Sequence, residues 1–266
     1  MSLSALEYSW RRQAAEILNA GSARTIVLTG SVDDLLWLPP SFIQGDATGL
    51  GRYVPLIENL RAHWGKPESV VLITYSLNGP IRFAREGDRE AMRADWVKHQ
   101  TGLAPDDLAI RRMLAHGEEA KKLAASGPEF DEYLTRVMGK PAVALTLLAE
   151  MCKVSRAAVS GDALFGKRLV ILIERADTII PEGPITSLNE ADRHRVMICQ
   201  SWFSDPEFLH GQDSVVLIAE SLAAVNHRVV KLPQVPDPLG LDRREGLGRT
   251  VSHPPLGVPE HPHEPR

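Results

Sequence analysis

The sequence has little of what defines several large classes of protein. It contains two cysteines, Cys152 and Cys199, which is too few for a disulfide framework, and their spacing does not fit a zinc site. No stretch approaches the roughly 20 apolar residues that span a bilayer, and the N-terminus lacks the apolar core of a secretion signal. A net charge of −4 gives no basis for binding nucleic acid or anionic membranes. We therefore expect a soluble, cytoplasmic protein with buried free thiols, no metal and no membrane partner.

What the sequence does contain is enough apolar residues, 44% of 266, to form a sizeable core. Short runs of β-branched residues and leucine predict buried strands. The predicted strands are "RTIVLTGS" ending at Gly30, residues 70–75, residues 169–173, residues 215–219 and a short fifth strand in "HRVVKLPQV". Helical patterns separate these strands, which predicts a parallel sheet with helices on both faces.

Three local patterns predict how the strands are connected. Residues 4–19 have the helical period, and Gly21 ends that helix. The Pro- and Gly-rich stretch "LPPSFIQGDATGLGRY" predicts a long loop before the next helix. Ser187 and Glu190 have the spacing of a capping box, so the helix before the fourth strand should begin at Ser187.

These elements predict a three-layer α/β/α fold with a mostly parallel sheet of four to five strands. Residues 1–235 should form one domain with a helical insert at about 86–160, and residues 236–266 a Pro-rich flexible tail. The tail holds His253, His261 and His263, but proline-rich sequence without a fold argues against a metal site there. Parallel sheets bind ligands outside the carboxyl ends of their strands. Gly30, Tyr75, Glu174 and Glu220 are at these ends.

The first strand is not followed by a phosphate-binding loop. Nucleotidases with such a loop carry GxxxxGK[ST] directly after that strand, and its amides and lysine hold the phosphates. Here Gly30 and Ser31 are followed by Asp33 and Asp34, which would repel phosphate. Two other stretches, "WGKPES" and "FGKR", precede strands rather than follow them.

The stretch "RLVILIERADTIIPEG" places Glu174 and Asp177 at the end of a buried strand. In the functional interpretation, these carboxylates hold a Mg²⁺-bound water or act as a general base. In the structural interpretation, Glu174 is the polar end of a core strand and pairs with Arg175, Arg168 or a helix terminus. The sequence alone leaves both open, although the missing phosphate loop favours the structural one.

Polar residues also follow the fourth strand. Glu220 or Ser221 could sense a γ-phosphate, but Ser221 could equally cap a helix. Arg228 could reach a neighbouring subunit as an arginine finger, or it could be an ordinary surface arginine.

The order of these elements resembles AAA+ ATPases. "LVILIERADTIIP" is similar to a Walker B strand, and "SVVLIAES" to the sensor strand that follows it. The first part, "RTIVLTGSVDDLLWLP…YVPLIENL…SVVLITYSLNGPIRF", resembles the N-terminal domain of certain bacterial tandem AAA proteins, in which a domain without a phosphate loop precedes a true ATPase module. The resemblance implies that Glu174 or Asp177 matches the Walker B acids and that Glu220 or Ser221 matches the sensor position.

Three hypotheses for the function follow. In the first, the protein is a catalytically degenerate AAA+-like assembly or regulatory subunit, which forms homo-oligomers or partners a separate ATPase. In the second, it is a divergent ATP hydrolase that uses ATP and Mg²⁺, with Glu174 as the base. In the third, it is a nucleotide or small-molecule sensor whose pocket includes Gly30, Tyr75 and the first loop. If nucleotide binds, we expect the contacts to come from Gly30, Ser31, Glu220, Ser221 and Arg228.

Overall fold

The computed structural model describes residues 8–43, 50–118, 130–232 and 239–241. Within these residues the strands, in chain order, are β1 (Thr25–Gly30), β2 (Leu35–Leu38), β3 (Arg52–Pro55), β4 (Val70–Tyr75), β5 (Arg82–Phe83), β6 (Arg168–Ile173), β7 (Ser214–Ala219) and β8 (Leu239–Leu241). The main sheet has the order β5-β4-β6-β7-β1-β8, and only β5 is antiparallel to its neighbour. β2 and β3 form a separate antiparallel pair.

Helices fill the connections between the strands. They are α1 (Ser9–Ala20), α2 (Leu56–Trp64), α3 (Glu86–Thr101), α4 (Pro105–Leu114), α5 (Phe130–Arg136), α6 (Pro141–Ala157), α7 (Ala176–Ile179), α8 (Glu190–Phe203), α9 (Pro206–His210) and α10 (His227–Val230), with 3₁₀ turns at Pro40–Phe42 and Leu222–Ala224. In the described ranges, no helix has the length and apolar character needed to cross a membrane.

Alternating side chains of the central strands build two cores, one on each face of the sheet. On one face, Val71, Ile171 and Leu217 belong to a large cluster that includes residues of α3, α5, α6 and α8. On the other face, Leu72 and Leu172 pack in a smaller cluster with residues of α1 and α2. The register explains the alignment, because Ile171 pairs with Ile73 on one side and with Val215 on the other. Strands buried on both faces lie between helical layers, so the predicted three-layer α/β/α fold is confirmed.

The four long strands lie where the sequence predicted them. The sheet nevertheless has six strands, because the short strands β5 and β8 are added at its two edges. The predicted fifth strand in "HRVVKLPQV" is wrong, since His227–Val230 form α10 with the Asn226 side chain as its N-cap. The predicted long first loop is wrong in part, because Trp37 pairs with Tyr53 between β2 and β3.

Two predicted helix ends differ in their outcome. Gly21 ends α1 in the left-handed conformation, with φ +64°, as predicted. The capping box at Ser187 is wrong, because α8 begins at Glu190 and the side chain of Asn189 accepts the N–H of Asp192. The Ser187 hydroxyl donates instead to the carbonyl of Pro184, which places it in the preceding turn.

The region predicted as a helical insert holds α3 to α6 in its described part. Met92 and Trp96 of α3 contribute to the same core cluster as Leu145 and Leu148 of α6. Residues 119–129 lie outside the described residues, as does most of the predicted tail, including the three histidines. Leu239–Leu241, inside the predicted tail, pair with the end of β1. The division into domain, insert and tail remains a prediction.

Both cysteines are buried free thiols, as the sequence predicted. Burial raises the pKa of Cys199 to about 12 and raises the pKa of Cys152 well above its usual range. Neither thiol is therefore ionised at neutral pH, which makes both poor nucleophiles.

Candidate functional site

The carboxyl ends of β1, β6 and β7 enclose a pocket of about 280 Å³, at the edge of the sheet where the sequence predicted a site. Val32 and Asp33 line it after β1, Glu174 and Arg175 after β6, and Pro55 to Ile57 at the start of α2. α2 packs on one face of the sheet and α8, which follows β6, on the other. Open α/β sheets bind their ligands where successive connections change face in this way. We call this pocket the strand-end crevice.

Arg175 connects three strand ends across the crevice. One of its guanidinium nitrogens bonds to Glu220 after β7, and the other lies 2.6 Å from Oδ1 of Asp33 after β1. These acids raise the pKa of Arg175, the bond to Glu220 having the largest effect. Arg175 also has a φ of +51°, a left-handed conformation that is uncommon outside glycine. The arginine is therefore held between two carboxylates, which offset its charge.

Glu174 lies beside Arg175 and is half-buried. Its backbone N–H donates to the carbonyl of Tyr75, 2.8 Å away, but its carboxylate takes no hydrogen bond from the residues that the structure describes. Burial raises the pKa of Glu174, and the charges of Arg82, Arg61 and Arg175 oppose that effect. The predicted pairing of Glu174 with Arg175 or Arg168 is wrong, because Arg168 bonds to the carbonyl of Leu18 and the side chain of Asn19.

Two backbone amides at the carboxyl end of β1 have partners, one across the sheet and one within the loop. The N–H of Gly30 donates to the carbonyl of Glu220, and the N–H of Val32 donates to the carbonyl of Gly30. The chain then forms β2 and β3 and enters α2 through Pro55, whose nitrogen carries no hydrogen. Gly30 and Ser31 are not among the residues that line the crevice.

The other predicted site residues lie apart from the crevice. Asp177 is on α7, with one buried carboxylate oxygen that has no hydrogen-bond partner among the described residues. Ser221 accepts the N–H of Ala223 and caps the 3₁₀ turn at Leu222–Ala224. Arg228 is exposed on α10. Tyr75, which the sensor hypothesis placed in the pocket, is only 1% exposed and belongs to the larger core cluster.

Of the predicted site residues, Glu174 lines the crevice, and Glu220 is connected to the crevice by its ion pair with Arg175. The pairing of Arg175 with Asp33 and Glu220 was not predicted, because these partners are 142 and 45 residues away in the sequence. Among the described residues, no group of three or more histidine, cysteine, aspartate or glutamate side chains could hold a metal ion.

Comparison with known families matches residues 8–237 to the family described as the AAA+ chaperone, N-terminal Rossmann-like domain. The chain belongs to this family. The match includes all four long strands and the strand-end crevice, so the AAA+-like fold that the sequence resemblance implied is confirmed.

Two further comparisons add little. No curated protein matches the chain. Among solved structures, the chain is similar to one in the structure of an E. coli MS115-1 HORMA:CdnC:Trip13 complex, with 12% identity and a TM-score of 0.38. That match covers 88% of this chain and 52% of the other, so the chain spans about half the length of that relative. At that score the likeness says nothing about what this chain binds.

Proposed function

We propose that this chain is a catalytically degenerate AAA+-like domain that acts as an assembly or regulatory subunit, through contact with a competent ATPase or with further copies of itself. The observation that carries the proposal is the composition of the strand-end crevice. Asp33 and Glu174 line the crevice and Glu220 lies beside it, and Arg175, the arginine of the lining, already binds Asp33 and Glu220. Arg61 and Arg82, whose charges also act on Glu174, do not belong to the lining.

Charge makes the strand-end crevice a poor phosphate site. A nucleoside triphosphate brings several negative charges, and bringing like charges together in a partly buried crevice is unfavourable. Phosphate loops overcome this repulsion with free backbone amides and a lysine at a helix N-terminus. Here the amide of Gly30 bonds to Glu220 across the sheet, the amide of Val32 bonds within the loop, and α2 begins at Leu56 directly after Pro55.

The β2–β3 pair next to the crevice supports a role in protein contacts. Leu35 and Tyr53 of this pair are 58% and 62% exposed, and the neighbouring Leu50 is 72% exposed. Aromatic and aliphatic side chains that are exposed together are typical of protein interfaces. The family description, an N-terminal domain of AAA+ chaperones, agrees with a domain that works beside an ATPase module.

Calorimetric titration of ATP–Mg²⁺ into the purified protein tests the proposal, with light scattering of the same sample to measure its oligomeric state. We expect no binding that depends on the crevice at millimolar nucleotide. The double variant Asp33→Asn, Glu220→Gln releases Arg175 and removes two negative charges, so it should bind nucleotide more tightly than the wild type. The proposal would be overturned if the wild type bound ATP–Mg²⁺ with micromolar affinity and Glu174→Gln weakened that binding. Glu190→Gln, at an exposed position, is the control and should leave the affinity unchanged.

One observation favours the second candidate, a divergent ATP hydrolase with Glu174 as general base and Mg²⁺ as its metal. The carboxylate of Glu174 is unbonded within the described residues, and burial raises its pKa, both of which suit a proton acceptor. Turnover of ATP that is lost in Glu174→Gln would support the hydrolase. Binding without turnover would support the sensor.

A further inference from the structure

The opposite edge of the sheet contains a larger cavity, of about 650 Å³, at the amino ends of β6 and β7. Its walls are the end of α6, the loop that leads into β6, and the turn between α9 and β7. Its volume is within the range of small-molecule sites. We call it the amino-edge cavity. None of its lining residues belongs to the strand-end crevice, so the inference is independent of the proposed function.

Two cations of the amino-edge cavity have unmet hydrogen-bonding capacity. Nη2 of Arg156 is 3.9 Å from carboxylate oxygens of Asp205 and Glu207, which is too long for a hydrogen bond, and its Nη1 is buried without a partner among the described residues. Nζ of Lys167 is 3.6 Å from Asp88, whose other carboxylate oxygen already accepts from Arg85 at 2.7 Å. A buried donor without an acceptor, as Nη1 of Arg156 is, is rare in native proteins. Lys167 differs, because its side chain is 28% exposed and lies within ion-pair distance of Asp88.

The Arg156 side chain is held in a fixed position. A Cβ atom built on Gly211 would lie 2.8 Å from Cδ of Arg156, so the aliphatic part of the arginine packs directly against this main chain. Asp213 fixes the floor of the cavity, because its Oδ1 accepts the N–H of Leu169 at 2.8 Å and the hydroxyl of Ser155 at 3.2 Å. The packing of the aliphatic part of Arg156 lowers the entropy that this side chain loses when a ligand binds.

Four carboxylates lie near these cations: Glu207 and Asp213 in the lining, Asp205 at 3.9 Å from Arg156, and Asp88 at 3.6 Å from Lys167. The side chain of Glu207 is 80% exposed, so water screens its charge. Asp213 is 1% exposed, with one oxygen bonded and the other buried, so its carboxylate does not meet a ligand directly. A ligand in the cavity therefore meets Arg156 and Lys167 as the cations of the lining and Glu207 as its exposed acid.

An aromatic ring lies on the same wall as Lys167. Phe165 is 55% exposed, so its ring is accessible in the lining of the cavity. The backbone N–H groups of Phe165 and Lys167 donate to carbonyls of Asp162 and Leu164, so an anion here would be bound by side chains and not by a phosphate loop.

We propose that the amino-edge cavity binds an organic anion, a phosphate or carboxylate group attached to a flat apolar ring. Arg156 and Lys167 hold the anionic group, because a guanidinium and an ammonium are the side chains best suited to it. Phe165 covers the ring. This ligand would be distinct from any nucleotide that binds at the strand-end crevice.

Titration calorimetry with phenyl phosphate, benzoate and inorganic phosphate as probes tests this site. We expect phenyl phosphate or benzoate to bind, and inorganic phosphate to bind about tenfold more weakly because it lacks the ring. Binding by phenyl phosphate alone identifies the anion as a phosphate, and binding by benzoate alone identifies it as a carboxylate. If none of the three binds at millimolar concentration, the proposal is wrong.

Variants separate this site from non-specific anion binding. Lys167→Gln should weaken binding about tenfold by removing one charged hydrogen bond, and Phe165→Ala should abolish the difference between phenyl phosphate and phosphate. Glu207→Gln removes an acid at the rim and should tighten binding about twofold. Lys153→Gln, an exposed lysine of α6 outside the cavity, is the matched control. Equal affinities in Lys167→Gln and Lys153→Gln would overturn the proposal, whatever the outcome of the ATP titration at Glu174.

Discussion

Replacing Asp213 with asparagine should make the free energy of unfolding less dependent on pH. Asp213 lies directly before β7 and is almost fully buried. Burial raises its pKa from 3.8 to about 6, although the N–H of Leu169, the hydroxyl of Ser155 and the charges of Arg156 and Arg24 oppose that effect. The folded protein therefore holds a proton on this carboxyl at pH values where the unfolded chain has lost it.

The sign and size of the effect follow from that difference. A pKa that is higher in the folded state gives stability that is fully present below pH 3.8 and is lost as the pH rises through about 6. The complete change amounts to about 3 kcal/mol, and about 2 kcal/mol of it falls between pH ~4.5 and ~7. Asparagine keeps an oxygen that can accept the Leu169 N–H but has no proton to lose.

Urea denaturation of both proteins at several pH values measures this difference. The free energy of unfolding of Asp213→Asn, relative to the wild type, should rise by about 2 kcal/mol from pH ~4.5 to ~7. Ser155→Ala is the matched control, since it removes a hydrogen bond to the same oxygen and leaves the carboxyl able to titrate. Parallel stability curves for Asp213→Asn and the wild type would refute the reasoning.

Substitutions of Arg175, Phe208 and Asn226 test other parts of the structure. Arg175 has a left-handed backbone, so Arg175→Gly should be more stable than Arg175→Ala by about 1 kcal/mol, although both lose the same ion pairs; equal stability would contradict the assigned φ. Phe208 is fully buried, so Phe208→Ala should lower the free energy of unfolding, measured by urea denaturation, by about 3 kcal/mol. Met113 is 82% exposed, so Met113→Ala, the control, should leave it almost unchanged. The side-chain amide of buried Asn226 donates to the carbonyls of Pro181 and Gly183. Both Asn226→Ala and Asn226→Asp remove these donors, so each should lower the melting temperature by about 4 °C or more. An unchanged melting temperature in Asn226→Asp would show that the two hydrogen bonds do not stabilise the protein.

The long strands could be predicted because their signal is local. A strand buried on both faces is a continuous apolar run, and β4, β6 and β7 are each buried along most or all of their length. β2 is an apolar run of only four residues, Leu35–Leu38, that is partly exposed, and β3 has no such run. Contacts across the pair stabilise them, such as Trp37 against Tyr53 with ring centroids 5.3 Å apart. No local pattern in the sequence indicates that β2 pairs with β3, a strand that follows a Pro- and Gly-rich stretch.

Local patterns also failed where two of them competed for the same position. Ser187 and Asn189 both precede the helical residues of α8, and either side chain could have capped it. Asn189 is the cap, and the Ser187 hydroxyl instead donates a hydrogen bond to the carbonyl of Pro184 in the preceding turn. "HRVV" reads as a strand by composition, yet Asn226 caps it as a short helix whose Val229 fills the core.

The candidate site was predictable in its position and not in its chemistry. Strand ends follow from the burial pattern, so Glu174 had to lie at the carboxyl edge whatever its role. Its role depends on which cations near it are free, and that is decided by residues distant in sequence. Arg175 is adjacent to Glu174 in the chain but is bound by Asp33 and Glu220 instead. An acid at the end of a buried strand therefore predicts the position of a candidate site, and the partners of the arginines near it, Arg61, Arg82 and Arg175, bear on what that site can bind.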